Sequence, residues 1–332
     1  MKKKLLMTTA ISSMMCMAVS NSAFSETKIT GNIEQTFATV SKDLATDTDG
    51  KRGFGTETNI SLSSSKDLDN GMTAKYGFTL EADSTAKADA KYLTLESGNF
   101  SVTFGEDVGN DIDISAIPYV DDYFETVGGS TGAGLEFTAI PSAQTHESAH
   151  ISLDYNYNGT TFTAMYAPSS SNKQGDSTIS DSGGSLSTLA INGSLGVEGL
   201  NVTLAKTTLE QANGADAGDD EDATKMGVSY SFGSVTAGIE RFKNDSGSTD
   251  ATAETTADLY GIAYGADNFS AGIYLLKNDR EAASTDEEAK MIQLGYNLGG
   301  LGIALSYMQI EDASGVSGSD ADVIQLHTTQ KF

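Results

Sequence analysis

The sharpest chemical motif in the sequence is HESAH at residues 146–150, which matches the H-E-x-x-H zinc signature. That chemistry requires a helix, because a helix brings His146 and His150 within about 6 Å of each other on one face. The residues from Ile151 onward instead alternate between apolar and polar types, which is typical of a strand. Two strand histidines at this spacing would stand ~13 Å apart and could not share a metal ion. We therefore predict that His146 and His150 do not form a zinc site.

Carboxylates are the other residues that could do chemistry, and they concentrate in polar segments. The segment 105–147 contains nine Asp and Glu residues and neither Lys nor Arg. A second acidic run occupies residues 216–222. Hard cations take oxygen ligands, so such loops predict at most loosely bound Ca²⁺ or Mg²⁺ and no other cofactor. No convincing nucleophile–base pair accompanies them, so we predict no catalytic residues and no enzymatic activity.

The composition excludes several classes of protein. Twenty Lys and Arg against 46 Asp and Glu give a net charge of −26, which argues against binding to nucleic-acid phosphates. No run of about 20 apolar residues is present, so a transmembrane helix is excluded. The 13 Tyr and 13 Phe residues are spread along the chain, whereas disordered chains are poor in aromatics.

The first 25 residues have the order of a cleaved export signal. Lys2–Lys4 form a positive start, an apolar run extends from Leu5 to Val19, and Ala23-Phe24-Ser25 has the small-x-small form of a cleavage site. The only Cys of the chain, Cys16, lies inside this segment. We therefore predict a signal peptide at residues 1–25 and an exported mature chain at residues 26–332.

The mature chain predicts an all-β fold. Apolar and polar residues alternate with period two, most clearly over 71–81, where Met72, Ala74, Tyr76, Phe78 and Leu80 share one face. Tight turn signals such as Asn158-Gly159 alternate with long polar stretches. This pattern predicts 16 strands joined by seven short turns and eight long loops, with residues 41–55, including Phe54, assigned to the first loop.

Loop asymmetry distinguishes a membrane barrel from a soluble sandwich. Alternation alone fits both, because a soluble antiparallel sheet also buries one face and exposes the other to water. Short connections on one side and long ones on the other, with strands of about 9–11 residues, are typical of a barrel in the outer membrane. Because lipid cannot satisfy an open sheet edge, we predict a closed antiparallel transmembrane β-barrel.

The barrel pattern resembles that of the general porins of Gram-negative outer membranes, in particular their alphaproteobacterial branch. The resemblance rests on the signal segment, the strand number, the outsized third loop, the hairpin from Tyr92 to Gly105 and the terminal Phe332. The chain departs from the family pattern at Thr328 and Gln330, where an aromatic or apolar residue is usual, and it lacks an evident arginine cluster. The resemblance implies a channel for passive diffusion of small hydrophilic solutes. It further implies a homotrimer surrounded by outer-membrane lipid and lipopolysaccharide, with Phe332 recognised by the barrel-assembly machinery.

The resemblance also assigns the candidate site. It implies that the loop 105–147 folds into the lumen and that Asp121, Asp122 and Glu125 form an acidic constriction; a solvated acidic surface loop is the alternative. Strand alternation places the charged residues of the facing wall, which are Lys28, Lys75, Lys91, Glu34, Glu57, Glu81 and Asp89, on the lumen side. Acids outnumber bases, so we expect a modest preference for cations.

Two other functions remain open from the sequence. An outer-membrane adhesin or structural barrel would share the strands and the signal segment, but it would lack a third loop long enough to fill the lumen. An outer-membrane hydrolase would need Ser, His and an acid clustered on the barrel exterior, and the chain has only three His residues from which to build such a site.

Overall fold

The computed structural model describes most of the predicted mature chain. The described residues are 26–41, 51–81, 87–106, 116–118, 120, 149–168, 185–210, 221–245, 254–280, 286–312, 317–318 and 320–332. The predicted signal peptide at residues 1–25 lies outside them, so its cleavage stays a prediction. Within the described ranges, no helix is long and apolar enough to span a membrane.

The described residues form 16 strands, as the alternation predicts. In chain order these are β1 (Glu26–Ser41), β2 (Lys51–Asp67), β3 (Thr73–Glu81), β4 (Lys87–Ser97), β5 (Phe100–Glu106), β6 (His150–Tyr157), β7 (Thr160–Ala167), β8 (Ser185–Gly193), β9 (Leu200–Glu210), β10 (Glu221–Phe232), β11 (Val235–Asp245), β12 (Glu254–Ala266), β13 (Phe269–Arg280), β14 (Glu287–Asn297), β15 (Leu301–Glu311) and β16 (Ala321–Lys331).

The strands close into one antiparallel barrel in which each strand pairs with its neighbours in sequence and β1 pairs with β16. The predicted closed barrel is therefore confirmed. The seven connections predicted to be tight join strands at one end, and the eight predicted to be long join strands at the other. Phe332 completes the closure, because its backbone N–H and C=O each bond to the backbone of Gly31 at 3.0 Å.

Strand alternation gives the barrel two different faces. On β14, Ile292, Leu294 and Tyr296 are 43–49% exposed, whereas the alternating Met291 and Gln293 are buried. A face that leaves large apolar side chains uncovered in this way is typical of contact with lipid. The exposed apolar phase is therefore the outer face, and the alternating phase points into the lumen.

Aromatic side chains gather on the outer face near the short turns. Tyr155 packs against Phe100, Tyr157 and Phe162, with ring centroids 4.6–6.3 Å apart. Other outward aromatics close to these turns are Tyr230, Phe232, Tyr264, Phe269 and Tyr296. Tyr and Phe favour the membrane–water interface, so this ring marks one boundary of the hydrocarbon region.

The assignment of Phe54 to a loop is wrong. β2 begins at Lys51, and Phe54 lies within it, 83% exposed on the outer face. Its ring lies 4.9 Å from that of Phe37, which is its register partner on β1. The glycines on either side of Phe54 made the segment resemble a loop in sequence, but cross-strand aromatic pairs stabilise a sheet and offset their low strand propensity.

Candidate functional site

Four described residues of the long connection between β5 and β6 lie against the inner wall. The backbone N–H of Ala116 donates to Glu240 Oε2 at 2.8 Å, and the hydroxyl of Ser229 donates to the Ala116 carbonyl. Farther along, the hydroxyl of Tyr274 donates to the Pro118 carbonyl at 3.0 Å and accepts the Val120 N–H at 3.1 Å. These bonds fix residues 116–118 and 120, here called the docked segment, along the lumen side of β10 to β13.

Inward-facing glycines provide the space for this segment. A Cβ at Gly261 of β12 would lie 2.5 Å from Ile117 Cγ2, closer than van der Waals contact allows. The same is true of three neighbours, whose added Cβ would lie 2.7–3.0 Å from side-chain atoms of the segment: Gly227, Gly238 and Gly295. These four glycines form the glycine track, a shallow path across β10 to β14 in which side chains of the segment lie close to the wall backbone.

Gly261→Ala is expected to lower the stability of the folded barrel, because its new methyl group overlaps Ile117. Overpacking of this kind typically costs about 1–3 kcal/mol. Gly265→Ala is the matched control, since Gly265 faces the lumen on the same strand and has nothing within 4 Å of an added Cβ. The measurement is the temperature at which the folded band converts to the unfolded band on detergent gels. Equal midpoints for the two variants would contradict a docked segment.

A buried ion pair lies beneath the segment. Lys225 Nζ of β10 stands 2.9 Å from Glu240 Oε1 of β11, and the two side chains are only 3% and 4% exposed. Glu240 therefore uses one carboxylate oxygen for the lysine and the other for the backbone of Ala116. Removing one member of such a pair leaves a buried charge without its counter-ion, which is strongly destabilising.

An apolar patch on the inner wall packs with Ile117. Its members lie on β12 to β16, in the half of the barrel nearer the long loops, and are 0–6% exposed: Leu259, Tyr274, Leu276, Ala289, Met291, Met308, Ile310, Ala321 and Val323. The sequence pattern did not predict this patch. The available signal is the continuous apolar run from Ile273 to Leu276, which indicates a strand that is apolar on both faces.

The predicted acidic constriction lies outside the described residues. Asp121 and Asp122 directly follow the docked Val120, and Glu125 follows them shortly after. Their role in narrowing the lumen therefore stays a prediction.

Lys75 lies on the inner face, as predicted, and it is not a free cation. Its Nζ stands 2.6 Å from Glu96 Oε1 on β4, and both side chains are partly exposed. The pair lies near the short turns. β4 is eight strands from β12 in the closed order of sixteen, so Lys75 and Glu96 face the docked segment across the lumen.

Lys91 is not placed beside Lys75 on the inner wall. The β3–β4 register shifts between Gly77 and Thr79, and Ala90 has a positive φ of 46°. This bulge interrupts the period-two alternation on which the sequence prediction depended. Beyond the bulge Tyr92 pairs with the inward Gly77, so Lys91 shares the outward face of Leu93. The prediction that Lys91 faces the lumen therefore does not hold in this register.

The two predicted residues of β1 face the lumen. Lys28 is exposed and lies near the short-turn end. Glu34 is partly buried, accepts a bond from Asn32 Nδ2 at 2.5 Å and lies 3.5 Å from His327 Nε2 on β16. Alternation alone would have marked Lys225, Glu240 and His327 as inward, but their burial depends on contacts that the sequence does not specify.

The H-E-x-x-H motif ends in a strand. His150 is the first residue of β6, pairs with Gly105 and is 4% exposed, which confirms its predicted place at the start of a strand. Residues 146–148 lie outside the described ranges. Among the residues that the structure describes, no group of three or more His, Cys, Asp or Glu could hold a metal ion.

Comparison with known proteins gives a family and a fold. The family model for Gram-negative porins matches residues 9–332. A mutant of Rh. blastica porin superposes with a TM-score of 0.63 at 14% identity, covering 92% of this chain and 100% of its own. OmpT of Vibrio cholerae superposes with a TM-score of 0.64 at 13% identity, covering 92% and 97%. No curated protein sequence shows a significant match.

Proposed function

The chain belongs to the Gram-negative porin family, and from this premise we propose that the loop between β5 and β6 narrows its channel and makes it prefer cations. The protein is an outer-membrane porin whose water-filled barrel lets small hydrophilic solutes and ions diffuse passively. Porins are channels rather than enzymes, so the family assignment favours a channel over the adhesin and the hydrolase considered above.

The observation that carries the proposal is the docking of residues 116–118 and 120 on the inner wall. The loop leaves β5 at Glu106 and has reached the lumen side of β10 by Ala116. A loop that is tied to the wall at this point occupies part of the lumen cross-section. We propose that Asp121, Asp122 and Glu125, which continue the chain from Val120, face the remaining opening.

The charge balance around that opening favours cations. Across the lumen, Lys75 is neutralised by Glu96 at 2.6 Å, so this lysine contributes little positive charge to oppose the loop carboxylates. Carboxylates that line a narrow channel raise the local concentration of cations, because the low-dielectric wall focuses their potential. The preference should weaken at high salt, since the Debye length falls from ~10 Å at 0.1 M to ~3 Å at 1 M.

Neutralising Asp121 and Asp122 to Asn and Glu125 to Gln is expected to lower the K⁺ over Cl⁻ permeability ratio severalfold. The measurement is the reversal potential across a planar bilayer under a KCl gradient. The matched control changes Asp216, Asp219 and Asp220 to Asn, which removes equal charge from the loop between β9 and β10. Equal shifts in the two triple variants would mean that the third loop is not the constriction.

We propose a homotrimer, and one feature of the outer face supports it. Gln35 of β1 is exposed beside its register partners Thr56 of β2 and Thr328 of β16, whereas large apolar side chains line the outer face of strands such as β6, β10 and β14. Amide and hydroxyl groups are costly in hydrocarbon and favourable against the polar groups of another chain. Native mass spectrometry of unheated protein in mild detergent should give the mass of three chains, and a single-chain mass would contradict the proposal.

The remaining partners follow from the family resemblance. We propose contact with lipopolysaccharide and other outer-membrane lipid, and recognition of the strand that ends at Phe332 by the barrel-assembly machinery. Loosely bound Ca²⁺ or Mg²⁺ at the acidic loops is also proposed, because carboxylate oxygens suit both ions.

A further inference from the structure

Two glutamates stand side by side on the lumen wall. The β1–β2 register pairs Glu34 with Glu57 and Asn32 with Asn59. Each glutamate accepts a bond from the asparagine on its own strand, at 2.5 Å for Asn32 to Glu34 and 2.6 Å for Asn59 to Glu57. We call Glu34 and Glu57 the wall pair. Glu34 follows the outward Ile33, and Glu57 is its register partner, so both carboxylates are on the lumen side.

The wall pair is unfavourable for the fold on its own. Directly opposed residues in an antiparallel sheet have Cβ atoms about 4.5–5.5 Å apart, and like charges at such positions are destabilising. The two asparagine amides hold the carboxylates in place, but an amide carries no net charge and does not cancel the repulsion. A cation that enters the lumen beside the pair would lower this repulsion, so the arrangement attracts cations.

His327 is the titratable group that adjoins the pair. Its Nε2 lies 3.5 Å from Glu34 Oε2 and 3.5 Å from the hydroxyl of Thr329, and the residue is 4% exposed. It also lines a recess of about 480 Å³ that is shared with the docked Val120. The wall pair is therefore connected through His327 to the part of the lumen that the loop reaches.

Other charged residues of the described strands also adjoin this site. Glu81 on β3 is the register partner of Asn59, and Lys331 on β16 is that of Asn32. The inward residues of β15 beside His327, Ala304 and Ser306, carry no charge. Histidine is the side chain whose ordinary charge change falls between pH 5 and 8, and a protonated His327 would place a positive charge 3.5 Å from the Glu34 carboxylate.

We infer that Glu34 and Glu57 are specificity-determining residues of the channel wall, which attract cations, and that protonation of His327 weakens this attraction. The inference rests on the proposed function, because it assumes a conducting, cation-preferring channel. It differs from the loop constriction in location, since the pair belongs to the rigid barrel rather than to the loop. We assign the selectivity of the wall to this pair rather than to Lys75, because Lys75 is neutralised by Glu96.

The test uses the full mature chain, refolded and inserted in planar bilayers under a KCl gradient at pH 7.5 and pH 5.5. Glu34→Gln with Glu57→Gln keeps side-chain shape and an amide oxygen for each asparagine, so folding should be retained. We expect its K⁺ over Cl⁻ permeability ratio to fall two- to fivefold at pH 7.5. Asp154→Asn is the control, because Asp154 is an inward carboxylate on β6 that bonds to Thr163 and Ser101, and it should shift the ratio less.

His327→Gln tests the second half of the inference. Wild-type protein should lose part of its cation preference between pH 7.5 and 5.5, and the variant should lose markedly less. His150→Gln, which alters the other inward and buried histidine of the described strands, should behave like wild type. If the double glutamine variant does not fold, Glu57→Gln alone should give about half the shift.

The outcomes distinguish a failure of the wall pair from a failure of the proposed channel function. If the wall-pair variant and Asp154→Asn change the K⁺ over Cl⁻ permeability ratio equally, or if neither changes it, the wall pair does not determine selectivity. The proposal of a cation-preferring channel would stand in that case. An unchanged pH response in His327→Gln would overturn the role of the histidine. Absence of conductance in wild-type protein would overturn the proposed function and this inference with it.

Discussion

Lys225→Met is expected to destabilise the folded barrel strongly and to raise its single-channel conductance. The substitution leaves Glu240 buried, at 4% side-chain exposure, without the ammonium group that stands 2.9 Å away. Breaking one partner of a buried ion pair typically costs about 3–5 kcal/mol. Because Glu240 also accepts the Ala116 N–H at 2.8 Å, a shift of its carboxylate should loosen the docked loop and widen the opening. Gel-shift midpoints and bilayer recordings measure the two effects.

Two controls make this prediction specific. Lys206→Met removes the lysine of an exposed pair with Asp222, in which the side chains are 57% and 47% exposed; surface pairs contribute only about 0–1 kcal/mol, so little change is expected. Lys225→Met combined with Glu240→Leu removes both charges and should recover much of the stability. It also removes the acceptor for Ala116, so its conductance should stay raised. If Lys225→Met behaved like Lys206→Met, the buried pair would not anchor the loop.

Deletion of Phe332 is expected to reduce the yield of folded barrel severalfold. Phe332 exchanges two backbone hydrogen bonds with Gly31, both of 3.0 Å, at the seam where β1 meets β16. In lipid an unpaired backbone group costs several kcal/mol, so losing this pair weakens closure of the sheet. The fraction of heat-modifiable protein after refolding measures the effect.

Gly31→Ala should lower the folded yield through the same contact. A Cβ at Gly31 would lie 2.5 Å from both the Phe332 ring and the backbone oxygen of Asn59. Gly302→Ala is the matched control on β15, because the nearest atom to its added Cβ is 3.7 Å away. Normal folding of both the deletion and Gly31→Ala would show that the seam does not need its terminal residue.

Strand number and topology could be predicted because alternation and turn signals are local. Strands such as β10 and β14 have one phase of exposed apolar residues, and the barrel is built from consecutive pairing of such strands. The failures arose where local rules are interrupted. Flanking glycines disguised Phe54 as a loop residue, and the bulge at Ala90 reversed the face of Lys91 without any clear mark in the sequence.

The site was harder to predict than the fold because its contacts join distant parts of the chain. Ala116 and Glu240 are 124 residues apart, and Val120 and Tyr274 are 154 residues apart. Sequence patterns identified Lys75 and Glu34 as inward. They did not show that Glu96 neutralises Lys75 or that Glu57 lies beside Glu34. Those relations depend on strand register, which is fixed only when the barrel closes.

A single measurement on the wild-type chain tests the central claim most directly. Purified mature protein should be refolded, added to a planar bilayer and recorded under a KCl gradient of 0.1 M against 0.5 M. The account predicts stepwise ohmic conductance and a reversal potential with the sign of cation preference, which is reduced when both salt concentrations are raised fivefold. A reversal potential with the sign of anion preference, or no conductance steps from correctly folded protein, would contradict it.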